Sequence, residues 1–401
     1  MKDLFLSNIE GKSSNFKQKI LGLCVNAGDY SIAELSKELN ASIPTITRLV
    51  GELIEDGFLE DLGKMGTSGG RRPSIYGLNP SAGYIVGTDV RRNHISVAII
   101  NFKGNIIDCR EDIPFSLRST EESFRELCGF LTDYLGKMGI DSGQVLAYGI
   151  NLSGRVNRNT GYSFSYFIGE DKPLSTTLEE MLGAPVFIEN DSRAMAYGEY
   201  ICGEYSKEKD MLFINVSWGL GMGVIIDGKL FYGKSGFSGE VGHFPMLDNG
   251  QICHCGKVGC LETGASGSAL YRIVIEKLKE GKASVLSEKF NNGEEITLDD
   301  ILDALKEEDV LAIEAVEEIG STLGRAIAGL INIFNPGSVT IGGWLSVAEE
   351  YLLLPVRTAI NKHSLNIVNK DSVIRFSKLG KKAGPIGACM LSRSRLLGVL
   401  D

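Results

Sequence analysis

Residues 213–233 read FINVSWGLGMGVIIDGKLFYG, and their organisation decides the fold. An apolar run is followed by a glycine-rich turn at Gly219, Gly221 and Gly223, then by a second apolar run that closes on Asp227-Gly228 and a short return. Asp-Gly between apolar runs is a hairpin signal, because both residues tolerate positive φ. The stretch therefore reads as strand, turn, strand, turn, strand. The same opening occurs once before: GYIVGTDV (83–90), HISVAII (94–100) and GNIIDC (104–109) form three strands, with a helix over 121–138 and a strand, VLAYGINL (145–152), behind them. Two copies of one three-strand opening predict a duplicated α/β architecture, two lobes with a cleft suited to a small ligand.

The residues before 80 have another texture. Residues 13–27 place Phe16, Ile20, Leu23 and Cys24 at helical spacing, and Gly28 ends the run. Ser31 and Glu34 form a capping box for a second helix over 32–40. Ser42 caps a third, with Pro44 in its first turn and Ile46, Val50 and Ile54 expected on the buried face. Two short helices joined by a tight turn make a helix-turn-helix. Its exposed third-helix residues are Thr45, Thr47 and Arg48, types that read base edges or grip phosphates. A strand over 58–62, the loop GKMGTSGGRRPS (63–74) and a return over 75–78 read as a wing, with a mobile linker as the alternative. Lys64, Arg71 and Arg72 give that loop the cations a narrow minor groove attracts. The expected organisation is a winged helix-turn-helix over 1–80, a first lobe over 81–200, and a second lobe over 201–401 whose C-terminal helix returns to the first.

A chain of 401 residues exceeds one ordinary core. No apolar run approaches the roughly 20 residues a membrane helix needs, and Met1-Lys2-Asp3-Leu4 lacks a secretion pattern, so a cytoplasmic location is expected. The net charge of −10 argues against nonspecific polyanion binding by the whole molecule. Residues 1–80, with nine Lys/Arg against ten Asp/Glu, hold little of that excess.

Three of the eight cysteines fall in one window, Cys253-His254-Cys255-Gly256-Lys257-Val258-Gly259-Cys260, with His243 ten residues ahead. Three thiolates and an imidazole complete a closed tetrahedral zinc site, structural because no position stays open for water. His254 is the alternative fourth ligand, and metal-free buried thiols the alternative to zinc.

Residues 236–262, GFSGEVGHFPMLDNGQICHCGKVGCLE, resemble the signature of the ROK family (repressors, open reading frames, kinases). Glu189-Asn190-Asp191, residues 149–156, and Asn335-Pro336 followed by Gly342-Gly343 resemble its other segments, and the winged helix with its GRRP resembles the xylose and N-acetylglucosamine repressor branch. The resemblance implies two actin-like, ribonuclease-H-like lobes, a sugar between them, zinc beside the sugar and operator DNA as partner. Carried over by position, Gly154, Asn190, Asp191, Glu240, His243 and Glu262 contact the sugar, His243 with one ring nitrogen on zinc and the other toward a hydroxyl.

In the family's kinases the residue matching Asp191 is the general base. Here the first phosphate loop, expected as Asp-x-Gly-x-Thr, reads Asp89-Val90-Arg91-Arg92-Asn93, and Leu220 replaces the threonine of the second, with Trp218 adding bulk beside it. Glycine lets backbone amides approach a phosphate; arginine obstructs them, and leucine donates nothing. No catalytic residue is therefore expected, and Asp191 is a vestigial base. Arg91 either pairs with the phosphate of a sugar phosphate or forms a salt bridge with Asp89 or another carboxylate, leaving a neutral sugar as ligand. Ser153 and Arg193 depart from the family pattern and bear on ligand choice. The leading expectation is a repressor released from operator DNA by a sugar or sugar phosphate. An active kinase with a DNA-binding domain and a repressor controlled by a protein partner are the alternatives. A single winged helix reads a palindrome only with a second copy, so a homodimer or dimer of dimers is expected.

Overall fold

A computed structural model describes residues 12–64, 73–91, 93–165, 171–203 and 208–399. Arg71, Arg72 and Arg92 lie outside the described residues.

Helices α1 (Lys12–Ala27), α2 (Ile32–Glu38) and α3 (Ile43–Glu55) open the chain. The capping box forms: the Ser31 hydroxyl accepts the Glu34 N–H at 3.3 Å, and the Glu34 carboxylate accepts the Ser31 N–H at 2.8 Å. Along α3 the buried residues are Ile46, Leu49, Val50 and Leu53, the i, i+3, i+4, i+7 face. Ile54, expected there, is half-buried because Leu53 is in phase with that stripe. Strands β1 (Tyr30–Ser31), β2 (Leu59–Lys64) and β3 (Ser74–Leu78) pair antiparallel in the order β1-β3-β2 and complete the winged helix. Its core does not close on itself. Ile20, Leu35, Ile46, Leu53 and Phe58 join one apolar cluster with Phe102, Leu146, Leu396 and Leu397, and the Phe58 and Phe102 rings stand 5.5 Å apart.

Strands β4 (Tyr84–Val90), β5 (His94–Asn101), β6 (Ile106–Pro114), β7 (Val145–Leu152) and β8 (Val186–Asn190) form one sheet, in the order β8-β7-β4-β5-β6. The third strand starts two residues later than expected, because the Asn101 side chain accepts the N–H groups of Gly104 and Asn105 and closes the turn. Strands β9 (Met211–Val216), β10 (Leu220–Ile226), β11 (Lys229–Leu230), β12 (Ser338–Gly342) and β13 (Val373–Phe376) form a second sheet, β11-β10-β9-β12-β13. Each sheet reads third, second, first, fourth, fifth, with antiparallel pairs among the first three strands and parallel pairs beyond. This is the duplicated ribonuclease-H-like topology of the actin-like sugar kinases.

The chain divides into two compact units, Met1–Asp191 with Gly384–Asp401, and Ser192–Ala383. Within the second unit, Glu199 of the helix Asp191–Cys202 accepts the Ser377 hydroxyl at 2.6 Å and the Lys378 N–H at 3.0 Å. The C-terminal helix Ala383–Leu396 belongs with the first unit, where the Asn151 amide donates to the Gly384 carbonyl at 2.8 Å. No helix among the described residues is long and apolar enough to cross a membrane.

Candidate metal and sugar site

His243 ends a short 3-10 turn, Val241–His243, and the cysteines sit on a hairpin pinned by bridges between Pro245 and Cys260 and between Ile252 and Val258. One donor atom from each of His243, Cys253, Cys255 and Cys260 lies within 4.8 Å of the others. The Sγ atoms of Cys255 and Cys260 are 3.6 Å apart, and Cys253 Sγ is 3.6 Å from His243 Nδ1. Tetrahedral zinc, with Zn–S about 2.3 Å and Zn–N about 2.0–2.1 Å, holds its donors about 3.8 Å (S to S) and about 3.6 Å (S to N) apart. The four residues fit a metal ion. Burial pushes the Cys253 thiol up to about 12, whereas the Lys257 amide holds the Cys255 thiol below its ordinary value. A bound cation offsets the cost of keeping buried thiolates. His254 Nδ1 is 2.8 Å from Glu262 Oε1 and 3.7 Å from Cys253 Sγ, and Cys253, His254 and Glu262 form a second set of donors within 4.8 Å of one another.

In the second unit, His243 directs Nδ1 to the cysteines and holds Nε2 4.0 Å from Glu240 Oε2. Glu262 opens the helix Glu262–Ala265, and its Oε2 accepts the Leu220 N–H at 3.0 Å. Arg193 is buried and donates to the Ser238 carbonyl at 3.4 Å, two residues before Glu240. In the first unit, the Asn190 amide donates to the Gly154 carbonyl at 2.9 Å and to Asp191 Oδ1 at 3.0 Å. Gly154 has φ +87°, and a Cβ there would fall 2.2 Å from Ser165 Oγ, so only glycine fits. Asp191 is the first residue of its helix, where a carboxylate complements the dipole.

Arg91 and Leu220, which the resemblance places in the family's two phosphate loops, are both engaged in the protein's own contacts. Arg91 Nε donates to Asp89 Oδ2 at 2.9 Å, and Asp112 Oδ1 is 3.9 Å from its Nη1. Burial pulls the Arg91 guanidinium down, but Asp89 first, then Asp112 and Asp191, hold it above its ordinary value. Arg91 Nη1 and Asp89 Oδ1 are buried without a hydrogen bond, one donor and one acceptor. At the second loop Leu220 is buried and its amide is committed to Glu262, while a Cβ at Gly221 would meet Ser192 Oγ at 2.1 Å.

On α3, Thr47 Oγ1 donates to the Ile43 carbonyl, the Thr45 hydroxyl lies 2.8 Å from that of Ser42, and exposed Arg48 pairs with Glu52. Lys64 is exposed on β2. Lys17, on α1, pairs with Glu52 and Asp56 at 3.1 and 3.0 Å. Three contributors escaped the sequence: Asp112, the His254–Glu262 pair, and Trp218 against Tyr271. Asp112 has φ +51° at a bulge between β5 and β6, where its N–H donates to Ser96 Oγ at 3.2 Å, and no spacing marks it.

A winged helix on a duplicated ribonuclease-H-like body with a Cys3His centre defines a DNA-binding protein built from a sugar-kinase scaffold. The chain belongs to the ROK family, whose model matches residues 85–395; a model for winged helix-turn-helix DNA-binding matches residues 14–60. It is 32% identical over 370 residues to the xylose repressor of Caldicellulosiruptor bescii, covering 92% of each chain. It is also 32% identical over 316 residues to a glucokinase of Halalkalibacterium halodurans, covering 78% of this chain and 96% of that one. A solved ROK family transcriptional regulator, a homologue of the E. coli Mlc protein, superposes with a TM-score of 0.79 at 27% identity, covering 96% of this chain and 98% of its own.

Proposed function

We propose that this chain is a transcriptional repressor that binds operator DNA through its winged helix and releases it on binding an unphosphorylated sugar. The xylose-repressor relative supports the class. The observation that carries the ligand is Arg91, 2.9 Å from Asp89 and 3.9 Å from Asp112, with the charge of Asp191 also felt at the guanidinium. One guanidinium among three carboxylates leaves net negative charge, which repels a phosphate. Gly154, Asn190 and Asp191 of the first unit and Glu240, His243 and Glu262 of the second are the proposed sugar contacts. Zinc held by His243, Cys253, Cys255 and Cys260 would fix His243. Thr45, Thr47, Arg48, Lys64, Arg71 and Arg72 are the proposed DNA contacts, and a homodimer or dimer of dimers would present two winged helices to a palindrome.

The glucokinase relative favours a second reading, an active kinase. Against it stand the Leu220 amide committed to Glu262 and the Asp89–Arg91 pair where a phosphate would enter. Asp191 then keeps the position of a base without a reaction. Titration calorimetry of pentoses, hexoses and amino sugars, each with and without its phosphate, tests the proposal. The free sugar is expected to bind about tenfold tighter or more than its phosphate, a margin of about 1.4 kcal/mol, and sugar is expected to dissociate the operator complex. A coupled assay with ATP is expected to show no turnover. Tighter binding of the phosphate, or robust turnover, overturns the proposal.

Arg91→Ala leaves Asp89, fully buried, without its cation. Removing one partner of a buried pair costs about 3 kcal/mol, the uncompensated charge being the larger part. A fall in melting temperature at neutral pH is expected, with Arg91→Lys intermediate; an unchanged melting temperature would show that the pair contributes nothing.

A further inference from the structure

A cavity of about 290 Å³ opens beside the cysteine hairpin, lined entirely by residues of the second unit. Its walls include Trp218, Gln251, His254, Glu262, Ser268 and Arg272. Of these, only Glu262 belongs to the proposed sugar contacts. Trp218 is 45% exposed, and its ring stands 5.9 Å from that of Tyr271, which backs it. A large aromatic plate is thus held open toward the cavity.

The polar groups around it are already fixed. Arg272 Nη1 is 2.8 Å from Glu276 Oε2, and its Nη2 donates to the Thr263 carbonyl at 3.1 Å. Ser268 Oγ lies 2.9 Å from Ser266 Oγ, and His254 is tied to Glu262 at 2.8 Å. With Arg272 neutralised by Glu276 and Glu262 also on the wall, no surplus positive charge invites an anion. The volume is just below the roughly 300–1,000 Å³ usual for ligand pockets, room for one small ring rather than a nucleotide. An aromatic face beside an amide, a hydroxyl, an imidazole and a carboxylate is the chemistry that recognises a neutral sugar ring: its C–H face packs on the indole and its hydroxyls donate and accept.

We infer that this cavity is a second saccharide subsite, joined through Glu262 to the sugar contacts proposed above and resting on that function, so that the effector is a disaccharide or longer. One ring meets Glu240, His243 and Glu262; the next lies on Trp218. Glu262 is common to both, since its Oε2 holds the Leu220 amide and its Oε1 holds His254 on the cavity wall.

The test uses the full-length, zinc-loaded protein with Trp344→Phe, which leaves Trp218 as the sole tryptophan. Xylose, glucose and N-acetylglucosamine are compared with xylobiose, cellobiose, maltose and chitobiose by calorimetry and by tryptophan fluorescence. At least one disaccharide is expected to bind about tenfold tighter than its monosaccharide and to change the Trp218 emission. Trp218→Ala should remove that margin and leave monosaccharide affinity within about twofold, while Trp218→Phe should keep most of it. Disaccharides that bind no tighter than their monosaccharides overturn the second subsite alone, as does a Trp218→Ala variant that weakens both equally. A protein that binds no sugar of either kind overturns the function proposed above, and the subsite with it.

Discussion

Cys255→Ser is expected to empty the metal centre, taking zinc from about one per chain to near none. The four donors already stand at tetrahedral separations, 3.6 Å for both the Cys255–Cys260 and the Cys253–His243 contacts. Serine offers a neutral hydroxyl in place of a thiolate, and three ligands hold zinc far less tightly than four. The loss spreads because Cys253 and Cys260 bury thiols that no longer neutralise a cation, while the hairpin keeps its backbone bonds, the Cys253 N–H to the Lys257 carbonyl and the Leu247 N–H to the Gly259 carbonyl among them. His243 then loses the partner that orients its ring, and Glu262 loses a fixed neighbour in Cys253. Sugar affinity should fall about 10- to 100-fold, the range seen when groups that orient a metal ligand are lost. The second-unit core, built on the long helix Val310–Phe334, should persist, so the variant remains folded with a lowered melting temperature. Metal analysis with calorimetry decides it, and Cys109→Ser, outside the cluster, is the control. Zinc retained at one per chain in Cys255→Ser, or absent from the native protein, would refute the assignment.

The parts of this molecule legible in the sequence are those written in local spacing. Ser31 with Glu34 and Ser42 before Pro44 encode structure within a few residues and are found where the spacing put them, and the three-strand opening of 83–109 and 213–233 recurs in both sheets, its third strand in the first sheet begun two residues late. The Cys/His grouping was equally local, and the ten-residue gap to His243 closes into one cluster. What the sequence hid depends on chain crossings. Arg91 reaches not only Asp89, its neighbour in the loop, but also Asp112, 3.9 Å away, which a bulge with positive φ brings alongside. The pairing of His254 with Glu262 was hidden as well: adjacency to Cys253 marks it as a metal-ligand candidate, and no local spacing points its ring at that carboxylate. The tie between Glu199 and residues 377 and 378, far apart in the chain, was hidden in the same way, since Glu199 lies within an ordinary helical pattern.

A chain begun at residue 79 is expected to lose specific operator binding completely, and also to lose stability that a free-standing DNA-binding domain would not take with it. The first effect follows from the loss of α1, α2, α3 and the strand pair that carries the wing. The second follows from the shared cluster, in which Phe102, Leu146, Leu396 and Leu397 of the first unit are buried under Ile20, Leu53, Phe58 and their neighbours. Truncation turns these into an exposed apolar patch, the kind that drives self-association. Burying a side chain of this size contributes about 1.5–3 kcal/mol, so uncovering several removes a large share of a domain's marginal stability. The same geometry predicts that Phe102→Ala in the full-length chain, at about 3–5 kcal/mol for a buried phenylalanine, loosens the winged helix and the first sheet together. Calorimetric melting should show one shared transition moving downward, and operator affinity falling with it, although Phe102 lies outside the helix-turn-helix. A winged helix that melts separately, or a chain begun at residue 79 that is as stable and monodisperse as the whole, would mean that the two share a surface but not a core.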